Sequence, residues 1–117
     1  MLLNHLNLCV DNLEEAERFF IHYFKFKARN DCNDVIKVLQ DESGFTLVLS
    51  SLGGEHPTYP FSFHLGFYVT TAQEVDEIHQ RLVADGYSTG VPKIVRGQYS
   101  FYFQALDGLL FEVTATE

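Results

Sequence analysis

The second half of this chain repeats the first, and that repeat limits the fold more than any other feature. His5 and His64 lie 59 residues apart, and at the same spacing Leu6 meets Leu65, Val10 meets Val69, Ala16 meets Val75, Phe19 meets Ile78 and Tyr23 meets Leu82. Further on, Gly44 before "FTLVLSS" answers Gly108 before "LLFEVTA" at a spacing of 64, so the second half carries a few extra loop residues. Hydrophobic periodicity assigns the same elements to both halves. Residues 2–10 alternate as a half-buried strand, and 11–24 form an amphipathic helix with Leu13, Ala16, Phe19, Phe20 and Tyr23 on one stripe and Asp11 or Asn12 as its cap. Strands follow in "FKARN", "DVIKVLQ" and "FTLVLSS", with "DESG" as a tight turn between the last two. After the Gly- and Pro-bearing "SLGGEHPTYP" the order restarts: a strand over 61–69, a helix over 70–86 closed by Gly86, and strands in "VPKIVR", "QYSFYFQ" and "LLFEVTA". A four-stranded sheet with one helix is too small to stand alone. The expected fold is therefore α+β: two tandem βαβββ modules, 1–52 and 61–117 with connector 53–60, making one 1–117 domain whose curved mixed sheets enclose a cleft.

Composition narrows the function classes. A net charge of −8, with eight scattered Lys and Arg, leaves no basic stripe for a phosphate backbone, so no nucleic acid is expected as a partner. No apolar run is long enough to cross a bilayer, and no membrane association is expected. Met1 leads into a strand pattern without a basic leader, and Cys9 and Cys32 have no CxxC spacing; both features fit reduced thiols in a cytoplasmic protein.

Strand alternation sorts the residues into two faces. One is apolar and packs on the helices. The other gathers His5, Asn7, Cys9, Val48, Ser50, His64, Gly66, Tyr68, Ser100, Tyr102, Gln104, Glu112 and Thr114, too polar for a core and too aromatic for an ordinary wet surface. It reads as a pocket lining. Taken alone, His5 is more often a surface or hydrogen-bonded histidine. Paired with His64 at the same register and with Glu112 on the same face, it completes two imidazoles and one carboxylate, a donor set that holds a divalent metal and leaves part of its shell open. Scattered structural residues remain the alternative, as does a vestigial cleft. Tyr68 and Tyr102 read as pocket walls, Cys9 as a small apolar group and His56 as loop.

The stretches "NHLNLCVDNLEEAERFFIHYFKF", "FHLGFYV" and "SFYFQALDGLLFEV" resemble the vicinal oxygen chelate superfamily, which includes glyoxalase I, fosfomycin-resistance thiol transferases, extradiol dioxygenases and bleomycin-resistance proteins. The resemblance implies metal ligands at His5, His64 and Glu112, and Mn, Fe, Ni or Zn as the metal. It also implies a homodimer in which His5 of one subunit meets His64 and Glu112 of the other. Where glyoxalase I supplies a second glutamate, this chain has Val48, so a three-ligand site is expected. Ser100 and Tyr102 match substrate-contacting positions of the fosfomycin group. Against that substrate, Arg96-Gly97-Gln98-Tyr99 lacks the acidic residue of a potassium loop, Asn7 replaces a usual threonine, and the basic C-terminal segment is missing before Glu117. The expected activity is a lyase, thiol transferase or dioxygenase type of metalloenzyme on a small substrate with neighbouring oxygens. The alternative is metal-free sequestration of a cationic antibiotic, as in bleomycin resistance, which the acidic charge suits.

Overall fold

The computed structural model describes residues 1–29, 33–51 and 56–117; Cys32 and connector residues 53–55 lie outside them. The chain divides into two units, Met1–Thr58 and Tyr59–Glu117. In the first, β1 (His5–Cys9) leads to α1 (Leu13–Phe24), β2 (Lys27–Ala28), β3 (Ile36–Gln40) and β4 (Thr46–Ser50). In the second, β5 (His64–Val69) leads to α2 (Ala72–Ala84), β6 (Ser88–Thr89), β7 (Lys93–Val95), β8 (Gln98–Ala105) and β9 (Leu109–Ala115). Both sheets are mixed, as expected for α+β modules.

The helices begin where capping chemistry places them. The Asn12 side chain accepts the Glu15 N–H at 3.1 Å, so Asn12 rather than Asp11 is the cap and α1 starts at Leu13. Thr71 does the same for the Glu74 N–H at 3.2 Å, which moves the start of α2 to Ala72. At the far end α2 stops before Gly86, whose φ of +91° an L side chain rarely adopts.

Each helix covers one face of its own sheet. Leu13, Ala16, Phe19, Phe20 and Tyr23 of α1 are buried with Leu8, Leu39, Leu47 and Leu49. In the second unit Val75 and Leu82 of α2 are buried with Phe101, Phe103, Phe111 and Val113. A hydrogen bond from the Tyr99 hydroxyl to Asp76 Oδ1 at 2.7 Å ties β8 to α2.

The ladders bear out the repeat in register. β1 runs parallel to β4 with Asn7 opposite Val48, and β5 runs parallel to β9 with Gly66 opposite Glu112. The strand orders are β1-β4-β3-β2 and β5-β9-β8-β6. The second sheet nevertheless has five strands rather than four. Ser88–Thr89 is the counterpart of β2, too short for its alternation to be read from the sequence. The strand expected in "VPKIVR" forms an added hairpin, with β7 antiparallel to β8. Lys27 pairs with Gln40 across 13 residues and Ser88 with Gln104 across 16, so three residues are inserted here.

Candidate metal centre

The second sheet turns its uncovered face outward in short rows of side chains. One row runs Gly66, Glu112, Tyr102 across β5, β9 and β8; the next runs Tyr68, Thr114, Ser100; the one on the other side runs His64, Leu110, Gln104. His64 and Glu112 are therefore diagonal neighbours on adjacent strands. Gly66 lies between them, and a Cβ there would stand 3.9 Å from Glu112 Oε1, an ordinary contact. His64 Nε2 stands 3.7 Å from Glu112 Oε1. That is beyond a hydrogen bond. It is close to the roughly 3.0–3.5 Å that separates two donors sharing one metal at bond lengths of about 2.0–2.2 Å, so a small side-chain rotation suffices.

The tautomer of His64 follows from its other nitrogen. Nδ1 lies 2.9 Å from the Ser62 carbonyl oxygen, which can only accept, so Nδ1 carries a proton and Nε2 is the ring atom turned toward Glu112; in the neutral ring that atom offers a lone pair. Metal-binding histidines are held in this way by a carbonyl or carboxylate behind the ring. In the first unit, His5 has the same arrangement, with Nδ1 at 2.7 Å from Asn4 Oδ1 and Nε2 free to accept. Both rings are exposed at matching registers of β1 and β5.

Tyr102 touches both candidate ligands of its sheet. It is the cross-strand partner of Glu112, and its ring packs edge-to-face on His64 with centroids 5.8 Å apart. The hydrogen bond to Glu112 raises the Tyr102 phenol above its ordinary 10.0, burial and the Glu112 charge add to the rise, and the Arg96 charge partly offsets it. Tyr99 is raised as well, first by its bond to Asp76. A phenol whose pKa is raised by folding stabilises the fold fully below its ordinary value, and that contribution is lost as pH rises through the folded value. In an alkaline absorbance titration of the native protein, Tyr99 and Tyr102 should thus ionise above the ordinary phenol range. Tyr99→Phe and Tyr102→Phe should each remove one late component. A titration curve whose late part is unchanged in both variants would contradict these surroundings.

The remaining residues of the expected pocket fall as follows. On the first sheet Ser50 is buried and donates to Asn7 Oδ1 at 2.7 Å, with Cys9 Sγ 3.8 Å from Ser50 Oγ. Val48 stands at the register that Glu112 occupies in the second sheet, so this position offers no fourth donor. On the second sheet Tyr68 and Gln104 are exposed, whereas Ser100 is fully buried and its Oγ has no hydrogen-bond partner among the described residues. Arg96, Gln98 and Val95 line a cavity of about 260 Å³ together with Gly66, Tyr68, Glu112 and Thr114. The pocket expected from the sequence omits these three; Arg96 is carried by the turn, which strand alternation cannot place, while Gln98 opens β8 at the parity of Ser100 and Tyr102 and could have been read from it.

Comparisons with known proteins agree with this architecture. A possible glyoxalase from Bacillus cereus superposes with a TM-score of 0.88 at 35% identity, covering 98% of this chain and 99% of that one. The fosfomycin resistance protein FosX from Listeria monocytogenes, in complex with Mn(II) and sulfate, gives 0.80 at 25% identity over 98% and 90%. Lactoylglutathione lyase from Agrobacterium tumefaciens gives 0.79 at 20% identity over 98% and 93%, a likeness of fold. No curated protein matches the sequence significantly. The family model described as "Glyoxalase/Bleomycin resistance protein/Dioxygenase superfamily" matches residues 2–113. With the mixed sheets, the register of the repeat and these likenesses together, the chain belongs to the glyoxalase/bleomycin resistance/dioxygenase superfamily.

Proposed function

We propose that this chain is a metal-dependent enzyme acting on a small substrate, with His5, His64 and Glu112 as ligands of a Mn, Fe, Ni or Zn ion. The observation that carries the reading is the orientation of His64: its Nδ1–H is committed to Ser62, so Nε2 is the nitrogen that stands beside the Glu112 carboxylate, where the neutral ring would offer a lone pair to a metal. The FosX likeness, a Mn(II) complex, adds support. When bound, such an ion supplies Lewis acidity toward two neighbouring substrate oxygens. The chain's own residues prepare the place. Tyr102 stands beside Glu112 as its cross-strand partner and packs on the His64 ring, and the Ser62 carbonyl holds the imidazole by Nδ1 so that Nε2 is the atom turned toward the carboxylate. The reaction is of lyase, thiol transferase or dioxygenase type.

The third ligand is proposed to come from a second copy of the chain, in a homodimer where His5 of each copy completes the partner's site. Mixing tests this directly. His5→Ala and Glu112→Ala homodimers should each bind no metal. Denatured together and refolded, the mixed dimer should recover one metal site, because both lesions fall in one site and leave the other intact. Failure of the mixture to bind would exclude the exchanged arrangement. Failure of the parent protein to hold Mn or Ni after chelator removal would sink the metalloenzyme reading. The net charge of −8 and the exposed Tyr68 ring favour one second reading, sequestration of a cationic antibiotic. Tight, salt-sensitive bleomycin binding that survives chelation would favour it.

A further inference from the structure

The second unit has three more residues than the first between Ser88 and Gln104, and its β7–β8 hairpin carries a cation to the cavity beside Glu112. Val95 pairs with Gln98, so the turn is Arg96-Gly97, with φ of +51° and +80° at its two residues. Two successive left-handed residues make the tight hairpin turn whose twist suits the flanking strands. Glycine accepts that backbone freely, but arginine does so at some cost. A side chain held at a strained position, at the mouth of a cavity, points to a role there.

Three further observations say what the cavity takes. The chain is acidic overall, yet the one guanidinium at this cavity has no carboxylate within ion-pair distance among the described residues, although Glu112 lines the same cavity. Arg96 lines the cavity itself, beside Gly66, Tyr68 and Glu112. Gln98 and Thr114 add hydrogen-bonding groups on the same lining. Gln98 precedes Tyr102 by four residues on β8, a rise of about 13 Å at about 3.3 Å per residue. In the first unit Val48 replaces the carboxylate, and no described strand corresponds to β7.

We propose that this cavity binds the oxyanion of a small acidic substrate, a carboxylate or a phosphoryl-type group, with Arg96 as its cationic partner and Gln98 beside it. The proposal rests on the function above only in taking His64 and Glu112 as the reacting end. Arg96 forms charge-assisted bonds with the anion, the planar guanidinium matching two oxygens at once. The Glu112 charge on the same lining repels an anion, so Arg96 and not the carboxylate side of the cavity receives it.

The test uses full-length, chelator-treated protein, so that no metal is involved. Inorganic phosphate and acetate are titrated separately at low salt while the backbone amide signals of Gly97, Gln98 and Gly66 are followed. At least one anion should give saturable shifts at those residues, with a dissociation constant on the order of millimolar. Arg96→Gln should weaken it at least tenfold. Arg96→Gly, which relieves the left-handed backbone, should do the same, and Arg96→Lys should retain part of the affinity. Saturation by phosphate alone assigns the phosphoryl-type class, and by acetate alone the carboxylate class. No saturable shift in the parent protein, or equal affinity in Arg96→Gln, overturns the proposal. Anion binding that persists in Glu112→Ala while metal binding is lost separates this subsite from the metal reading.

Discussion

Glu112→Ala should lower the affinity for Mn or Ni by more than about a hundredfold, since even partners behind a metal ligand are worth about 10- to 100-fold. The loss corresponds to at least about 2.8 kcal/mol at about 1.4 kcal/mol per tenfold. The fold should survive. Glu112 lies on the uncovered face of β9, and its strand neighbours Phe111 and Val113, both 0% exposed, hold the sheet against α2. Calorimetric titration with the metal, beside a circular dichroism spectrum unchanged from the parent, reads both parts. Glu112→Gln sharpens the result: it keeps an oxygen to accept from Tyr102 but removes the charge, so a similar loss of affinity assigns the effect to the carboxylate. Affinity within threefold of the parent in Glu112→Ala would remove Glu112 from the site.

The other large effect belongs to the core. Phe111 is fully buried, stacked on Phe103 with centroids 5.1 Å apart and planes at 13°, and beside Phe67 at 6.4 Å. Phe111→Ala removes the ring joining those two neighbours and leaves a hole that the paired strands β5, β9 and β8 cannot close. The expected cost is about 3–5 kcal/mol. Domains of this size are stable by only about 5–15 kcal/mol, so much of the margin would go. Urea unfolding measures it, with Gln104→Ala, exposed on the opposite face of β8, expected to change stability by less than about 0.5 kcal/mol. A cost below about 1 kcal/mol for Phe111→Ala would mean that this sheet does not depend on its aromatic stack.

Much of the fold was legible because it rests on local periodicities. The repeat of 59 residues in the first strand and helix reappears as matched ladders, and Gly44 and Gly108, at φ of +92° and +98°, open β4 and β9 in the same way. The exceptions are short or turn-borne. β6 has two residues, too few for alternation to show itself, and β7, expected as a strand in "VPKIVR", pairs with β8 as a hairpin rather than taking the place of β2. Within the site, the pairing of His64 with Glu112 on one face was readable from strand parity alone. Arg96 was visible in the sequence only as a loop residue, because its "RG" turn lacks the Asn-Gly signal of tight hairpins.

What the sequence determined by itself is therefore everything governed by period two and period 3.6: which elements form, which face of each strand is apolar, and that His5, His64 and Glu112 share the polar one. Only the tertiary structure decided what depends on distance between strands. It set His64 Nε2 at 3.7 Å from Glu112, gave Nδ1 to the Ser62 carbonyl, placed Tyr102 against both side chains and brought Arg96 to the same cavity. The physical reason is that alternation fixes the side a residue faces, whereas its partners across the sheet depend on register and turn geometry, which are settled when the strands pair.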